Sequence, residues 1–174
     1  AGVDYRKDSI SQTADPIALQ TSPAYQTGAW QFANRRPLNG SVNVTEFFGE
    51  TIVPLAKDAA WARALDLNAA VRTADYSTSG SVTSWKAGLT YEPVAGLRFR
   101  GTRSHDIRAA NLNELYTVGV TIVGAVVDYG RTGNPSASVP TTTVGNAGLK
   151  PETANTTTVG VSWRPGFIDG LETS

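Results

Sequence analysis

The sequence predicts an all-β fold of antiparallel, up-and-down strands that form a partial wall of a large transmembrane β-barrel. Three observations lead to this fold class. Apolar residues alternate with polar ones, the alternating segments are long, and the connections between them differ in length at the two ends of the strands. A period of two gives each strand two unlike faces. In an outer-membrane barrel the apolar face meets lipid, whereas in a soluble sandwich it would meet a second sheet.

The alternation recurs in five segments that follow one another along the chain. Their apolar positions are Val3 and Tyr5; Leu65, Leu67, Ala69 and Val71; Trp85, Ala87, Leu89 and Tyr91; Leu97 and Phe99; and Val159, Val161 and Trp163. The segment 42–54 is different, because Glu46 and Glu50 share a parity with Val44, Phe48 and Ile52. Either a bulge resets its register or one of its faces is mixed.

Segment length and loop length favour the barrel over the sandwich. The segments run to roughly 9–13 residues; a tilted membrane strand needs ~9–11, and soluble strands average ~5–6. We expect the longest connections, 10–40 and 108–154, to be outer loops at one end of the strands. The connection 55–63 is of medium length, and 77–80, 93–96 and 165–170 are short. Pro54, Pro93 and Pro165 mark strand ends of one polarity. Bacterial outer-membrane barrels combine short periplasmic turns with long extracellular loops in this way.

Composition limits the other possible functions. The 174 residues are 17% charged with zero formal net charge, which gives no electrostatic reason to expect a nucleic-acid partner. Cysteine is absent, so neither disulfides nor thiolate metal sites are expected. Methionine is absent even at position 1, and we therefore expect a mature product or an excised piece. The longest apolar run, 118–127, is half the ~20 residues that a membrane helix needs; it is either a hairpin extension or a segment that packs onto other loops.

Two motifs carry a resemblance to a known family. An arginine-bearing strand continues into RAANLNELY (108–116), and GNAGLKPET (145–153) leads into the last alternating strand. With AGVDYR (1–6), VTEFFGETIVPL (44–55) and the segment 65–93, the chain resembles the C-terminal half of the barrel of TonB-dependent outer-membrane receptors. The resemblance covers most of the chain in the family's usual order.

The resemblance implies a transporter of the bacterial outer membrane. Such a receptor has about 22 strands around an N-terminal plug domain. Its outer loops capture a scarce, bulky solute, such as a siderophore, haem, cobalamin or a glycan. A TonB energy-transducing complex in the inner membrane then acts on the plug through a short N-terminal box. Neither plug nor box is recognisable in 1–174, so we expect a barrel fragment whose partners are membrane lipid, the remaining strands, the plug and the TonB complex.

Three residues are candidates for contact with the solute. His105 is the sole histidine and precedes Asp106 where a strand enters the second long loop. Tyr129 and Arg131 lie in the polar, glycine-rich part of that loop, and aromatic and arginine side chains anchor interfaces well. The charged residues that share the polar parity are interpreted as a solvated lumen wall with cross-strand ion pairs: Asp66, Arg72, Lys86, Glu92, Arg98 and Arg100.

The family motifs are given structural roles. Residues 111–116 are expected to form one helical turn whose Leu112, Leu115 and Tyr116 pack a loop, and Arg108, Glu114 and Leu115 belong to this motif. In the second motif, Leu149, Lys150, Pro151 and Glu152, proline fixes its own φ and biases Lys150 towards extended backbone. Trp30, Tyr76, Trp85, Tyr91 and Trp163 are expected to form a girdle near the strand ends.

Catalysis is not predicted. Ser104, His105 and Asp106 are neighbours on a strand, so their side chains alternate between faces and do not form a triad. We expect no cofactor and no metal site. Two alternatives to the transporter remain: another outer-membrane barrel, such as a porin or adhesin translocator, and a soluble β-rich binding module.

Overall fold

The computed structural model describes residues 1–20, 36–166, 171 and 173, with the backbone alone for 120–123. Its elements, in chain order, are β1 (Gly2–Gln12), α1 (Pro16–Leu19), β2 (Leu38–Ala59), β3 (Ala62–Tyr76), β4 (Gly80–Val94), β5 (Leu97–Arg108), α2 (Leu112–Tyr116), β6 (Val120–Val127), β7 (Ser136–Thr143) and β8 (Glu152–Trp163). In the part of the chain described, no helix has both the length and the apolar character needed to span a membrane.

The main sheet contains six strands in the order β1-β2-β3-β4-β5-β8. From β2 to β8 each neighbouring pair is antiparallel. An isolated antiparallel bridge joins Trp163 to Thr173, after the end of β8. The predicted all-β, antiparallel partial wall is confirmed. Its strands exceed the predicted lengths, because β2 has 22 residues and β3 and β4 have 15 each.

The chain divides into two compact units. The first unit comprises Ala1–Arg6, Asn43–Ala109 and Lys150–Ser174, and the second comprises Lys7–Val42 and Ala110–Leu149. The first unit contains most of the sheet, with Val44, Ala62 and Ala74 buried. The second unit contains both short helices and a separate two-stranded sheet of β6 and β7.

The register gives the sheet an apolar face and a polar face. One row of the apolar face aligns Leu67, Leu89, Gly101 and Val159 across β3, β4, β5 and β8. The row beside it on the opposite face aligns Asn68, Gly88, Thr102 and Thr158 in the same strands. In these rows the register keeps apolar and polar side chains on opposite faces, as the alternation predicts. The register between β4 and β5 shifts between Tyr91 and Val94.

The open question about segment 42–54 is resolved in favour of a mixed face. From Val44 to Pro54, β2 pairs with β3 in continuous register, so Glu46 and Glu50 lie on the same face as Phe48. The register shifts only between Pro54 and Ala56, where a residue is left over in β2. Proline cannot donate a ladder hydrogen bond, and a bulge is one of the places in a sheet that tolerates it.

Two expected boundaries are wrong. The connection 55–63 was expected to be of medium length, but β2 ends at Ala59 and β3 begins at Ala62. Pro54 was expected at a strand end, but it lies inside β2 at the bulge. By contrast, the turns before β4 and β5 are short. Gly80, the first residue of β4, and Gly96, the last residue before β5, have positive φ of 77° and 81°.

Part of the expected aromatic girdle is present. Tyr91 lies between Trp61 and Phe99, with ring centroids 6.4 Å and 6.3 Å away, and its hydroxyl donates a 2.7 Å hydrogen bond to the carbonyl of Trp61. Trp163 pairs with Leu97 at the same end of the sheet. Tyr76, however, shares the parity of Arg72 on the polar face, and Trp85 lies five residues inside β4. Trp30 lies outside the described residues.

The apolar run 118–127 forms a hairpin, which was one of its two expected structures. Its residues contribute β6, which pairs along its whole length with β7 from Val120–Thr143 to Val127–Ser136. Every residue of β7 is exposed. The run is therefore an extension within the connection between β5 and β8.

Candidate functional site

Ion pairs on the polar face lie between neighbouring strands. Arg72 of β3 lies 3.4 Å from the carboxylate of Glu46 on β2, and its guanidinium stacks over the Phe48 ring at 5.5 Å from the centroid. The Glu46 side chain is 10% exposed and that of Arg72 55%. Arg98 donates a 3.2 Å hydrogen bond to Glu92. Of the six charged residues expected on this face, Arg98 and Glu92 form a cross-strand pair, whereas Arg72 pairs with Glu46. The ion pairs found among the described residues do not include Asp66, Lys86 or Arg100. That this face lines a lumen stays a prediction.

A hollow of about 220 Å³ opens beside Glu46 and Arg72 in the first unit. Phe48, Glu50, Arg72, Lys86 and Asp106 line it from the polar face, and His105, which has the opposite parity, is also part of its lining. Cationic side chains (Arg72 and Lys86) and anionic ones (Glu50 and Asp106) thus line the same hollow as the Phe48 ring. Such a lining can contact a polar or zwitterionic molecule, but it has none of the geometry of a catalytic centre.

The carboxylate of Asp106, which lines the hollow, accepts hydrogen bonds from two hydroxyl groups. Ser104 Oγ donates to its Oδ2 at 2.7 Å, and Thr156 Oγ1 donates to the same oxygen at 3.1 Å. All three side chains share the polar face; the Ser104 bond lies within β5, and the Thr156 bond joins β8 to β5. The side chain is held in one orientation on the wall.

His105 lies on the other face of the sheet. It is aligned with Trp85 on β4 and Asn155 on β8, and its Nδ1 is 2.9 Å from Asn155 Oδ1. The structure therefore places His105 and Asp106 on opposite faces, as expected for neighbours on a strand. No triad of Ser104, His105 and Asp106 forms.

Tyr129 and Arg131 lie at the tip of the β6–β7 hairpin, in the second unit. Tyr129 is 81% exposed. Asp128 organises the tip, because its carboxylate accepts from the Gly130 backbone at 2.9 Å and lies 3.5 Å from the Arg131 guanidinium. The side chains of Tyr129 and Arg131 are accessible to a large solute. His105 lies in the first unit and is not part of this hairpin.

The first family motif builds a capped helix in the second unit. Asn111 accepts from the Glu114 backbone at 2.9 Å, and Glu114 accepts from the Asn111 backbone at 2.8 Å, which is a complete capping box. Leu115 is buried at 3% exposure. Tyr116 donates to the Ser41 carbonyl at 3.0 Å, and its ring lies so close to Gly40 that no other residue would fit there without displacing it.

The loop after β7 also joins this helix. The Gly145 backbone donates to the Thr117 carbonyl at 2.7 Å, and the Asn146 backbone donates to the Glu114 carbonyl at 2.8 Å. These carbonyls belong to the end of α2, where helices leave such groups without intrahelical partners. Leu149 follows with a backbone bond to Asn146 at 3.2 Å.

The second motif ends in a two-pronged ion pair. Arg108, the last residue of β5, donates through Nε to Glu152 Oε2 at 2.9 Å and through Nη2 to Oε1 at 2.7 Å. Glu152 is the first residue of β8 and is paired with Arg108 in the ladder. Lys150 and Pro151 directly precede it. The pair closes the ladder where the long connection leaves and returns.

A family model described as TonB dependent receptor-like, beta-barrel, matches residues 1–173. The chain belongs to the TonB-dependent receptor family. TonB-dependent receptors are transporters of the outer membrane and not enzymes. No curated protein and no solved structure matched the chain.

Sequence reasoning missed two features of this receptor wall. It did not single out Glu46 as a nearly buried carboxylate, nor Phe48 as an aromatic partner of Arg72 on the polar face. The shared parity of Glu46, Phe48 and Glu50 was the available signal. Among the described residues, no group of three or more histidine, cysteine, aspartate or glutamate side chains could hold a metal ion.

Proposed function

We propose that this chain forms part of the wall of a TonB-dependent transporter that imports a scarce, bulky solute with energy from the inner membrane. The apolar face of the sheet contacts outer-membrane lipid, and the polar face lines the lumen around a plug domain. Siderophores, haem, cobalamin and glycans are the candidate solutes. The plug, the remaining barrel strands and the TonB energy-transducing complex are the partners that this function requires.

The asymmetry between the two faces carries the proposal. Large side chains on the apolar face are exposed to an extent that is unusual for a soluble protein: Val159 is 81% exposed, Phe47 62% and Val71 50%. They form one continuous surface with Leu89, Phe99 and Val161. Contiguous apolar surfaces of this size mark interaction with lipid or another protein. A soluble binding module would instead bury these side chains in a core.

The solute contact is proposed for the hairpin tip. The connections from β1 to β2 and from β5 to β8, 13–37 and 109–151 by the strand bounds, are taken as outer loops. Tyr129 and Arg131 lie in the second of them with high exposure. The position of His105 on the apolar face disfavours a role in solute contact. The residues of the two family motifs are proposed to hold the ends of the connection between β5 and β8 in place: Arg108, Glu114, Leu115, Leu149, Lys150, Pro151 and Glu152.

Energised uptake tests the proposal and separates it from a porin. The full-length protein is expressed in a host that lacks its own receptors, and uptake of each labelled candidate solute is measured with and without a functional TonB complex. Uptake of one solute that disappears without the complex is the expected result. Uptake that persists without energy would favour the porin, and no surface binding of any solute would contradict the receptor.

Two hairpin variants test the proposed contact in a binding assay, in which the affinity of the imported solute is measured on cells without a functional TonB complex. Tyr129→Ala and Arg131→Ala are expected to weaken solute binding by about tenfold each, as for interface anchors. Thr141→Ala, on the exposed β7 away from the tip, is the matched control and should bind normally. Equal affinity in all three variants would remove the hairpin tip from the binding site.

A further inference from the structure

The hollow on the polar face has small side chains between its charged ones. Ala70 of β3 pairs with Glu50 on β2 and with Lys86 on β4, so a methyl group separates two opposite charges. Neighbouring strands are ~4.8 Å apart, which puts the backbones of Glu50 and Lys86 ~10 Å from each other. Within the described residues, neither of these two side chains takes part in an ion pair. Both charges therefore face the hollow uncompensated by that part of the chain.

The next row of the polar face repeats this arrangement with the charges in the reverse order. Ser84 of β4 pairs with Arg72 on β3. On the other side of Ser84 lies Asp106 of β5, one position beyond the pair of Trp85 and His105. Positive and negative side chains thus alternate around the hollow, with a methyl group and a hydroxyl group between them.

Arg72 is fixed in place from two sides. Its guanidinium lies 3.4 Å from the Glu46 carboxylate and stacks on the Phe48 ring. That ring packs against the backbone of Gly2 on β1, since a Cβ added at position 2 would lie 2.7 Å from it. The guanidinium therefore forms a preorganised wall of the hollow and shares its charge with Glu46.

Asp106 is also fixed, and one of its carboxylate oxygens remains available to a ligand. The hydroxyl groups of Ser104 and Thr156 both donate to Oδ2, at 2.7 Å and 3.1 Å. From the described residues, Oδ1 accepts no hydrogen bond. A group that is already held in one orientation loses less conformational entropy when it binds a ligand.

The charges and the size of the hollow restrict what it can hold. Its lining carries two cationic and two anionic side chains: Arg72, Lys86, Glu50 and Asp106. An anion would meet two carboxylates and a cation would meet two cationic groups, whereas a ligand with both charges is complementary to the whole lining. The volume of about 220 Å³ is below the ~300–1,000 Å³ of sites that enclose a drug-sized molecule. The hollow therefore fits one end of a bulky solute.

We propose that this hollow binds an amino-acid zwitterion, an ammonium and a carboxylate on one carbon, at one end of the transported solute. The ammonium donates to Asp106 Oδ1, and the carboxylate accepts from Lys86 Nζ across the Ser84 hydroxyl. Both contacts are charge-assisted hydrogen bonds of ~2.7–2.9 Å. The inference names the substrate class of the proposed function, and it rests on that function in one respect, that the polar face lines the path of the solute.

Three small probes test this assignment on the full-length receptor in detergent. Their dissociation constants are measured by ligand-observed NMR. Alanine carries both charges, N-acetylalanine lacks the ammonium, and alaninamide lacks the carboxylate. Wild type is expected to bind alanine about tenfold more tightly than either of the other probes, the size of effect of one charge-assisted hydrogen bond. Equal binding of all three probes would overturn the proposal.

Two substitutions separate the two ends of the zwitterion. Asp106→Asn should lose the preference for alanine over N-acetylalanine and keep the preference over alaninamide, and Lys86→Gln should do the reverse. Both substitutions keep the side-chain length at exposed positions. Ser84→Leu fills the hollow without changing its charge and should weaken alanine binding about tenfold. If one of the charge variants fails to fold, Ser84→Leu and the three probes still decide the question.

Asp66→Asn and Arg100→Gln are the matched controls. Asp66 and Arg100 flank Thr90 in another row of the polar face and do not line the hollow. Each variant removes one charge of the same sign as its counterpart, and each should bind alanine as the wild type does. Losses equal to those of Asp106→Asn and Lys86→Gln would show that the general field of the wall is responsible, and would overturn the site.

The plug domain is the competing occupant of this hollow. In that case alanine would not bind to the wild type, while Asp106→Asn and Lys86→Gln would lower the melting temperature of the full-length receptor. That outcome would overturn the proposal. The solute identified by energised uptake should displace alanine, and a failure to do so would overturn the assignment of the hollow to the solute. A receptor that binds alanine as described but imports nothing would contradict the proposed function alone.

Discussion

Replacing Arg72 with methionine tests how the polar face is held together. The change removes the guanidinium but keeps a long apolar stem, and it leaves the Glu46 carboxylate, 10% exposed, without its partner at 3.4 Å. At an effective dielectric constant of about 20, that separation corresponds to ~5 kcal/mol of Coulomb attraction. The Arg72 side chain is 55% exposed, so solvent screens most of it.

The expected net coupling between Glu46 and Arg72 is about 1–2 kcal/mol. This value lies between the ~0.2–1 kcal/mol of exposed pairs and the ~3–5 kcal/mol lost when a fully buried pair is broken. Loss of the stacking on Phe48 adds ~0.5–1 kcal/mol. Arg72→Met is therefore expected to lower the free energy of unfolding by ~1.5–3 kcal/mol in total.

A double-mutant cycle provides the assay. The free energies of unfolding of wild type, Arg72→Met, Glu46→Gln and the double variant are measured for the full-length receptor in lipid bilayers by guanidinium titration, with tryptophan fluorescence as the signal. Arg100→Met, on the same face and in no ion pair within the described residues, is the control and should cost under ~1 kcal/mol. A coupling energy below ~0.5 kcal/mol would refute the electrostatic account of this wall.

Three further substitutions test local contacts. Asn111→Ala removes one half of the capping box with Glu114 and should lower the opening free energy of α2 by ~1 kcal/mol in amide hydrogen exchange; unchanged protection would contradict the cap. Gly145→Ala brings a Cβ to 2.5–2.7 Å from backbone atoms at the end of α2, so the same amides should exchange at least tenfold faster, and wild-type rates would show that the loop is not docked there. Tyr91→Phe removes the hydrogen bond to the Trp61 carbonyl and should cost ~0.5–1.5 kcal/mol of unfolding free energy, whereas no loss would indicate that water already competes for that carbonyl.

The fold was predictable because sheet patterning is local. Two neighbouring residues on a strand point to opposite faces, so the parity of Leu65, Leu89 and Phe99 fixes which residues face the same way before any pairing is known. The same rule also applies to the polar residues of β5. His105 and Arg103 share the odd parity of Leu97 and Phe99, which already places both on the apolar face.

Other features depend on contacts that sequence spacing does not encode. The register shift between Pro54 and Ala56 leaves Leu55 as the extra residue of β2, and parity alone does not show where an extra residue is absorbed. The contact of Tyr116 with Gly40 joins positions far apart in the chain. The helical turn itself was predictable, since Asn111 and Glu114 have the spacing of a capping box.

Alternate lipid exposure along β8 is the most direct test of the membrane wall. Single cysteines at Thr158, Val159, Gly160 and Val161 of the full-length receptor, in a cysteine-free background, are labelled with a fluorophore in brominated-lipid bilayers. Positions 159 and 161 should be quenched strongly by the brominated chains, and 158 and 160 weakly, because they occupy opposite faces of the strand. Equal protection of 159 and 161 from lipid and from water would mean that the apolar face is buried in protein. That result would contradict the transporter wall and support a soluble module.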